Sequence, residues 1–433
     1  MISMKEHATC VVAISNEDSY RQFYSNWKNE LTDVANLLIV ENNATHTFDP
    51  KEKNITQLSW HDIDTDLGKN YWIIPRNSSA LISYGCYKAV KAGAKHIIML
   101  DEKSEPAEEG FFKKHLEYLS LEEDENSWHD ILANIKPKGV PFYNRQRKSQ
   151  IMLNHGMWTE NAILDAAVQL SITSETGDIN VNEGLVPQGQ YFSLSNINLS
   201  FNSEIAPLMY FLLMGTHNDF PFDGYGDIWC GIIAKKIMDH LNWGCHSGKP
   251  FVVNKQESNV WKTLKNDSNS LPVNESFWEK IDTIILTHDT PIGCYKQIAE
   301  VIGKWGHPYF QKLGKAMKIW AGLFTGEVAL HQKDEEEEAK SASQLLSYID
   351  NQEKVQEEKQ RKETEELLEF LHKKATGSKA DPKESSDPDG EIIVNVIEEE
   401  ESPEQSGRPF VAKPKKLKIK SPPSSEGFIP RRK

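Results

Sequence analysis

Cys10-Val11-Val12-Ala13-Ile14-Ser15-Asn16-Glu17-Asp18 decides the fold class: a compact apolar run, then a polar string, then the amphipathic stretch Tyr20 to Trp27. An apolar run closed by polar residues and followed by a segment of helical period reads as strand, loop, helix. The pattern returns twice. Asn36 to Val40 runs into Glu41, Asn42 and Asn43, and Ile97 to Leu100 runs into Asp101 and Glu102. Between them Ile82, Cys86, Ala89 and Val90 share one helical face, and Gly93 stands where a helix end takes a left-handed residue. This alternation predicts an α/β domain built on an open, largely parallel sheet, with ligands beyond the carboxyl ends of its strands.

Outward from this core the chain changes character. From about Gln150 come longer loops with aromatic residues, then a dense segment from Asn196 to Trp229, a helix over Ile228 to Leu241, and amphipathic segments to about Phe324. This half is expected to complete the cleft and select its ligand. Beyond it the chain is charged. The expected boundaries are a ligand-binding domain over 1–330, a charged helical segment over 331–375 and a disordered tail over 376–433. Leu345, Leu346, Ile349, Leu367, Leu368 and Leu371 are spaced for a helix, with few apolar residues between the two groups, which favours an isolated charged helix over a coiled coil. The basic run Lys413 to Lys420 reads either as a solvated tail or as a contact for an acidic partner or membrane surface.

The net charge of the 433 residues is -15, and the part before Lys333 holds 30 basic against 40 acidic residues. An acidic body repels a phosphate backbone, so nucleic-acid binding is not expected. The five cysteines, Cys10, Cys86, Cys230, Cys245 and Cys294, are widely spaced without a C-x-x-C pair and read as reduced, buried thiols. The first nine residues mix Lys, Glu and His and lack a signal-peptide core, and no stretch reaches the ~18 apolar residues of a membrane helix. A cytoplasmic protein, with peripheral membrane contact through the basic run as the alternative, is the expectation. Metalloprotease, P-loop, serine-hydrolase and dinucleotide fingerprints are absent from the sequence.

Several residues carry candidate chemistry. Asp101 and Glu102 form an acidic pair at a strand end, where carboxylates can hold a divalent metal or simply open a loop. Asp227 stands at the start of the expected helix and reads either as a reacting carboxylate or as a helix N-cap. Asn42 follows the second strand. His155 and Trp158 read as core or as cleft wall.

A set of collinear motifs adds a resemblance. Asn198-Leu199-Ser200-Phe201-Asn202-Ser203-Glu204, Met209-Tyr210-Phe211 with Leu213-Met214-Gly215, and Tyr225-Gly226-Asp227-Ile228-Trp229-Cys230-Gly231 resemble the N-L-A-F-N-R-E, M-Y-F-G-L-M-G and Y-D-D-M-W-A-G of the reversibly glycosylated polypeptides, the UDP-arabinopyranose mutases. Phe23 to Trp27, Asn36 to Val40, His155-Gly156-Met157-Trp158, Asp239-His240-Leu241 and Gly248-Lys249-Pro250 are similar to that family's F-L-E-M-W, H-L-I-I-V, H-G-L-W, D-H-L and T-G-L-P. The likeness runs from about Ala8 to about Phe324. It implies a glycosyltransferase-A-like open sheet that binds a UDP-sugar, interconversion of pyranose and furanose forms, self-glycosylation on arginine, and complexes among family members, so a homo- or hetero-oligomer.

Carried over residue by residue, the resemblance implies the following site. The family's three consecutive aspartates are matched by Asp101, Glu102 and Lys103, and a metal-completing histidine by Asn254, so a Mn2+ or Mg2+ ion at Asp101 and a metal-free site using Lys103 are both open. The glycosylated arginine is matched by Lys138, and a second arginine needed for activity is retained as Arg145, whose guanidinium can grip a phosphate. Asp227 matches the second aspartate of Y-D-D-M-W, and Asn42 an aspartate directed at the uracil or ribose. Retained Asp101, Arg145 and Asp227 favour an enzyme; altered Lys103, Asn254 and Lys138 favour a non-catalytic binding or assembly subunit.

Overall fold

The computed structural model describes residues 7–126, 146–160, 164–171, 181–254 and 259–326, all within one compact unit, Met1–Ala339. The charged segment 331–375, the tail 376–433 with Lys413 to Lys420, and both Lys138 and Arg145 lie outside the described residues.

In chain order the elements are β1 (Ala8–Ile14), α1 (Glu17–Trp27), β2 (Asn36–Glu41), β3 (Ile55–Leu58), α2 (Trp60–Leu67), α3 (Ala80–Lys91), β4 (His96–Leu100), β5 (Ser104–Pro106), α4 (Phe111–Leu119) and β6 (Glu122–Asn126). There follow β7 (Gln146–Glu160), α5 (Ala166–Ser171), β8 (Gly184–Leu185), β9 (Asn198–Asn202), α6 (Gly226–His240), β10 (Trp243–Asn254), α7 (Val260–Asp267), α8 (Leu271–Asp282), α9 (Pro291–Ile302) and α10 (Pro308–Thr325). The strands form one open sheet in the order β3-β2-β1-β4-β9-β7-β10-β5, with β6 beside β7 and β8 beside β10. This is the α/β open sheet with flanking helices that the sequence predicts.

The local rules hold where the pattern is strong. Asn16 caps α1, its side chain accepting from the Ser19 N–H at 2.9 Å. Gly93, just beyond α3, has φ +91°, the left-handed conformation that spares it a steric cost. Successive residues of β1 alternate between two cores: Val11 packs with Leu38, Tyr84, Ile97 and Phe201 on one face, and Cys10, Val12 and Ile14 pack with Phe23, Trp27, Ile98 and Phe111 on the other. A strand buried on both faces reads as a continuous apolar run, which is why the opening stretch was legible. Helix α3 lies close against this sheet through Gly85, where a Cβ would meet Val11 Cγ1 at 2.6 Å and Val40 Cγ2 at 2.7 Å.

The parallel pairing covers β1, β2, β3 and β4. Past β4 the sheet is mixed: β9 runs antiparallel to both β4 and β7, whereas β7 and β10 are parallel. Apolar periodicity fixes which residues are strands but not their direction, because direction depends on how the connection travels. The consequence for function lies in the first half. Parallel β1, β2 and β4 end on the same edge, so Ser15, Asn42 and Asp101, each next in the chain to a strand end, come together there.

Candidate functional site

The loop after each of these strands is tied to its neighbours. Ser15 donates twice to Glu102, from its N–H to Oε2 at 2.8 Å and from its hydroxyl to Oε1 at 2.7 Å. That clasp fixes one carboxylate at the end of β4 against the end of β1. Asn43 donates from Nδ2 to the Ser15 carbonyl at 2.9 Å, and Asn42 accepts the Asn77 N–H on Oδ1 at 3.3 Å. The turn after β4 is pinned as well. The Ser104 N–H and hydroxyl donate to the Asp101 carbonyl at 3.1 and 2.7 Å, and the Trp27 indole donates to the Ser104 carbonyl at 2.7 Å.

Beneath these loops opens a cleft of about 430 Å³, the size of a small-molecule site. Asn42, Asp101, Glu102 and Asp227 line it, together with Ser15, Asn77 to Ser79, Asn196 and Asp223. Four sequence-predicted residues that span the chain from position 42 to 227 therefore converge. Lys103 and Asn254 are not among the lining residues. Lys103 is exposed and gives its N–H to Asp101 Oδ1 at 2.8 Å, while Asn254 is buried at the end of β10, opposite Ser104 of β5.

Asp227 occupies the second position of α6, whose N-cap is Tyr225. The N-cap alternative for Asp227 is thereby replaced: its Oδ1 accepts the Ile228 N–H at 2.9 Å inside the first turn, and its Oδ2 the Asn196 N–H at 3.4 Å. Burial pushes its carboxyl up to about 6, against the pull of those N–H donors. A carboxyl of that acidity changes protonation near neutral pH, which suits proton transfer. Burial also raises the Asp101 carboxyl; the Lys103 N–H opposes this and the Glu102 charge adds to it.

The cleft is acidic. Asp101, Glu102, Asp223 and Asp227 line it, and no Lys or Arg is among the described lining residues. The residues do not fit a divalent metal centre: among the described residues no group of three His, Cys, Asp or Glu side chains is placed to hold an ion. Glu102 is committed to Ser15 and Asp101 to Lys103.

His155 and Trp158 are buried in β7 with their rings 6.1 Å apart, and neither lines the cleft. Sequence reasoning missed Ser15, Asn77 to Ser79, Asn196 and Asp223. Ser15 is the first polar residue after the apolar run of β1, a signal that was available, whereas Asn196 precedes β9 in a segment that mixes polar and apolar residues. Asn77 to Ser79 precede α3 in a loop without a periodic pattern, and only the fold brings them to the cleft. No described helix is long and apolar enough to cross a membrane.

Comparison with known proteins agrees with these motifs. Residues 133–327 match the family described as reversibly glycosylated polypeptide. The chain is 32% identical to a probable UDP-arabinopyranose mutase 4 of Arabidopsis thaliana over 190 residues, 42% of this chain and 51% of that protein. It is 33% identical to UDP-arabinopyranose mutase 1 of Oryza sativa subsp. japonica over 196 residues, 42% and 51%, and 32% identical to a probable UDP-arabinopyranose mutase 1 of Pisum sativum over 218 residues, 48% and 58%. The chain thus spans about half the length of the curated relatives it matches. The family match takes in Lys138, Arg145, Asp227 and Asn254, whereas β1 to β4 with Asn42 and Asp101 to Lys103 precede it. Among solved structures, glucosyl-3-phosphoglycerate synthase from Mycobacterium tuberculosis, in complex with Mn2+, UDP and phosphoglyceric acid, aligns at 12% identity over 63% of this chain and 75% of that one, with a TM-score of 0.31. A second mycobacterial protein aligns at 10% identity over 64% and 79%, with a TM-score of 0.33. Its motifs, the match over residues 133–327 and its curated relatives support the assignment of this chain to the reversibly glycosylated polypeptide family.

Proposed function

We propose that the domain over 1–330 binds a UDP-sugar in the cleft at the ends of β1, β2 and β4 and processes it as a UDP-arabinopyranose mutase-like enzyme. The observation that carries this reading is the convergence of Asn42, Asp101, Glu102 and Asp227 on one cleft of about 430 Å³. Asn42 is assigned to the nucleoside, through the amide hydrogens left by an Oδ1 that accepts from Asn77. Asp227 is assigned to the sugar. As the bond from the anomeric carbon to the diphosphate breaks, its electron pair leaves with the phosphate oxygen. A carboxylate beside that carbon stabilises the positive charge and takes the proton of the sugar hydroxyl that closes the new ring; it returns that proton to the old ring oxygen as the bond from that oxygen to the anomeric carbon breaks, and the diphosphate oxygen then re-forms its bond to the anomeric carbon. Relatives named UDP-arabinopyranose mutase support the substrate class.

A diphosphate facing four carboxylates needs an offsetting cation. Lys103, next in the chain to Glu102, and Arg145, by its match to the family, are the groups we assign to it. The acidity of the cleft also favours a second reading, a non-catalytic family member that keeps the fold to bind or assemble. One experiment separates the two. The purified chain is titrated with UDP by calorimetry, then incubated with a panel of UDP-sugars while ring-form interconversion, UDP release and protein-bound sugar are followed. Binding with turnover supports the enzyme; UDP binding without turnover of any sugar supports the second reading; no UDP binding rules out both uses of the cleft.

A further inference from the structure

His155 belongs to a motif that the function above does not use. Its ring lies inside the sheet, buried, and touches the segment that separates the two important carboxylates. Its Nε2 accepts the Ser195 N–H at 3.1 Å, which makes Nδ1 the protonated nitrogen, and Nδ1 donates to the Ser247 hydroxyl at 3.1 Å. Ser195 in turn caps its own turn, accepting the Ile197 N–H on Oγ at 3.4 Å. The peptide between these anchors faces the cleft on both sides. The Asn196 N–H donates to Asp227 Oδ2 at 3.4 Å, and the Ile197 carbonyl accepts the Asp101 N–H at 3.0 Å.

From this geometry we infer that His155 is a positioning residue: by holding Ser195 it aims the Asn196 N–H at Asp227 and so sets the protonation of the carboxylate that meets the sugar. The inference rests on the reading of Asp227 given above. The fixed orientation follows from the ring's two bonds, because a neutral imidazole with one acceptor and one donor nitrogen satisfies Ser195 and Ser247 in a single orientation. Burial keeps it neutral, with its pKa lowered to about 4. His115 of α4, whose own value burial lowers to about 3, is the neighbouring titratable ring. The charged groups sharing the cleft with Asp227 are Asp101 and Glu102 after β4 and Asp223 before α6, and the Cys230 thiol lies on its own helix. The Asn196 N–H is the one donor to Asp227 that comes from outside α6 among its described hydrogen bonds.

The test needs no substrate. In full-length protein labelled with carboxyl-13C aspartate, the NMR titration midpoint of Asp227, assigned with D227N, is measured in the wild type, H155L and H155Q. Leucine keeps the apolar volume and offers no acceptor; glutamine places an oxygen where Nε2 stood. The expected result is a midpoint about one pH unit higher in H155L, the order of one weakened hydrogen bond to a charged group, and a return towards the wild-type midpoint in H155Q. An unchanged midpoint in folded H155L, or an equal shift in both variants, overturns the inference. Should H155L not fold, His155→Asn, polar but one methylene too short to reach Ser195, takes its place with the same expectation. UDP titration of the same samples keeps the two readings apart, since the midpoint reports the positioning whether or not UDP binds.

Discussion

Replacing Asp227 by Asn should stabilise the protein at neutral pH while removing any turnover. The carboxyl is raised from an ordinary value of 3.8 to about 6 by burial. The native state therefore binds its proton more tightly than the unfolded state does. The sign follows from linkage: stability from this group is fully present below about 3.8 and is lost as pH rises through about 6, so above that pH the folded chain carries the cost of a buried charge. Two pH units of displacement correspond to about 3 kcal/mol as an upper bound. Asp227 is partly open to the cleft, and the variant's Nδ2 meets the Asn196 N–H, donor against donor, so roughly half of that, ~1–2 kcal/mol, is the expected gain at pH 7.5. The assay is thermal and urea unfolding of wild type and D227N at pH 4, 6 and 7.5. The difference should be small at pH 4 and open as pH rises. A difference independent of pH, or a variant less stable than wild type at pH 7.5, would refute the assignment of a raised, buried carboxyl. Stability gained at the expense of function at one residue is the usual mark of a working site.

Two further outcomes follow from the packing and the loop contacts. Gly85→Ala places a methyl 2.6 Å from Val11 Cγ1 and 2.7 Å from Val40 Cγ2; overpacking of this kind costs ~1–3 kcal/mol, to be read as a lower urea midpoint, and α3 shifted away from β1 and β2 should weaken UDP binding with it. Ser15→Ala removes the hydroxyl donor to Glu102 at 2.7 Å and keeps the N–H at 2.8 Å; UDP affinity measured by calorimetry should fall by about threefold to tenfold, ~0.5–1.5 kcal/mol, with the melting temperature unchanged because the residue is exposed.

The sequence by itself determined the sheet core and its ligand edge. Cys10 to Ile14, Asn36 to Val40 and Ile97 to Leu100 are apolar because both faces of their strands are covered, and that demand is local enough to read along the chain. The polar residues that close those runs marked Asn42, Asp101 and Glu102, and motif likeness marked Asp227. Tertiary structure decided the rest. The direction of β9 and β7, the removal of Lys103 and Asn254 from the lining, and the arrival of Asn77 to Ser79 at the cleft depend on contacts between segments far apart in sequence, which no local period encodes. The same holds for acidity. In the sequence Asp227 is an aspartate like any other, and enclosure by the cleft wall raises it to about 6, because the cost of a charge is set by the solvent and dipoles around it rather than by its neighbours in the chain.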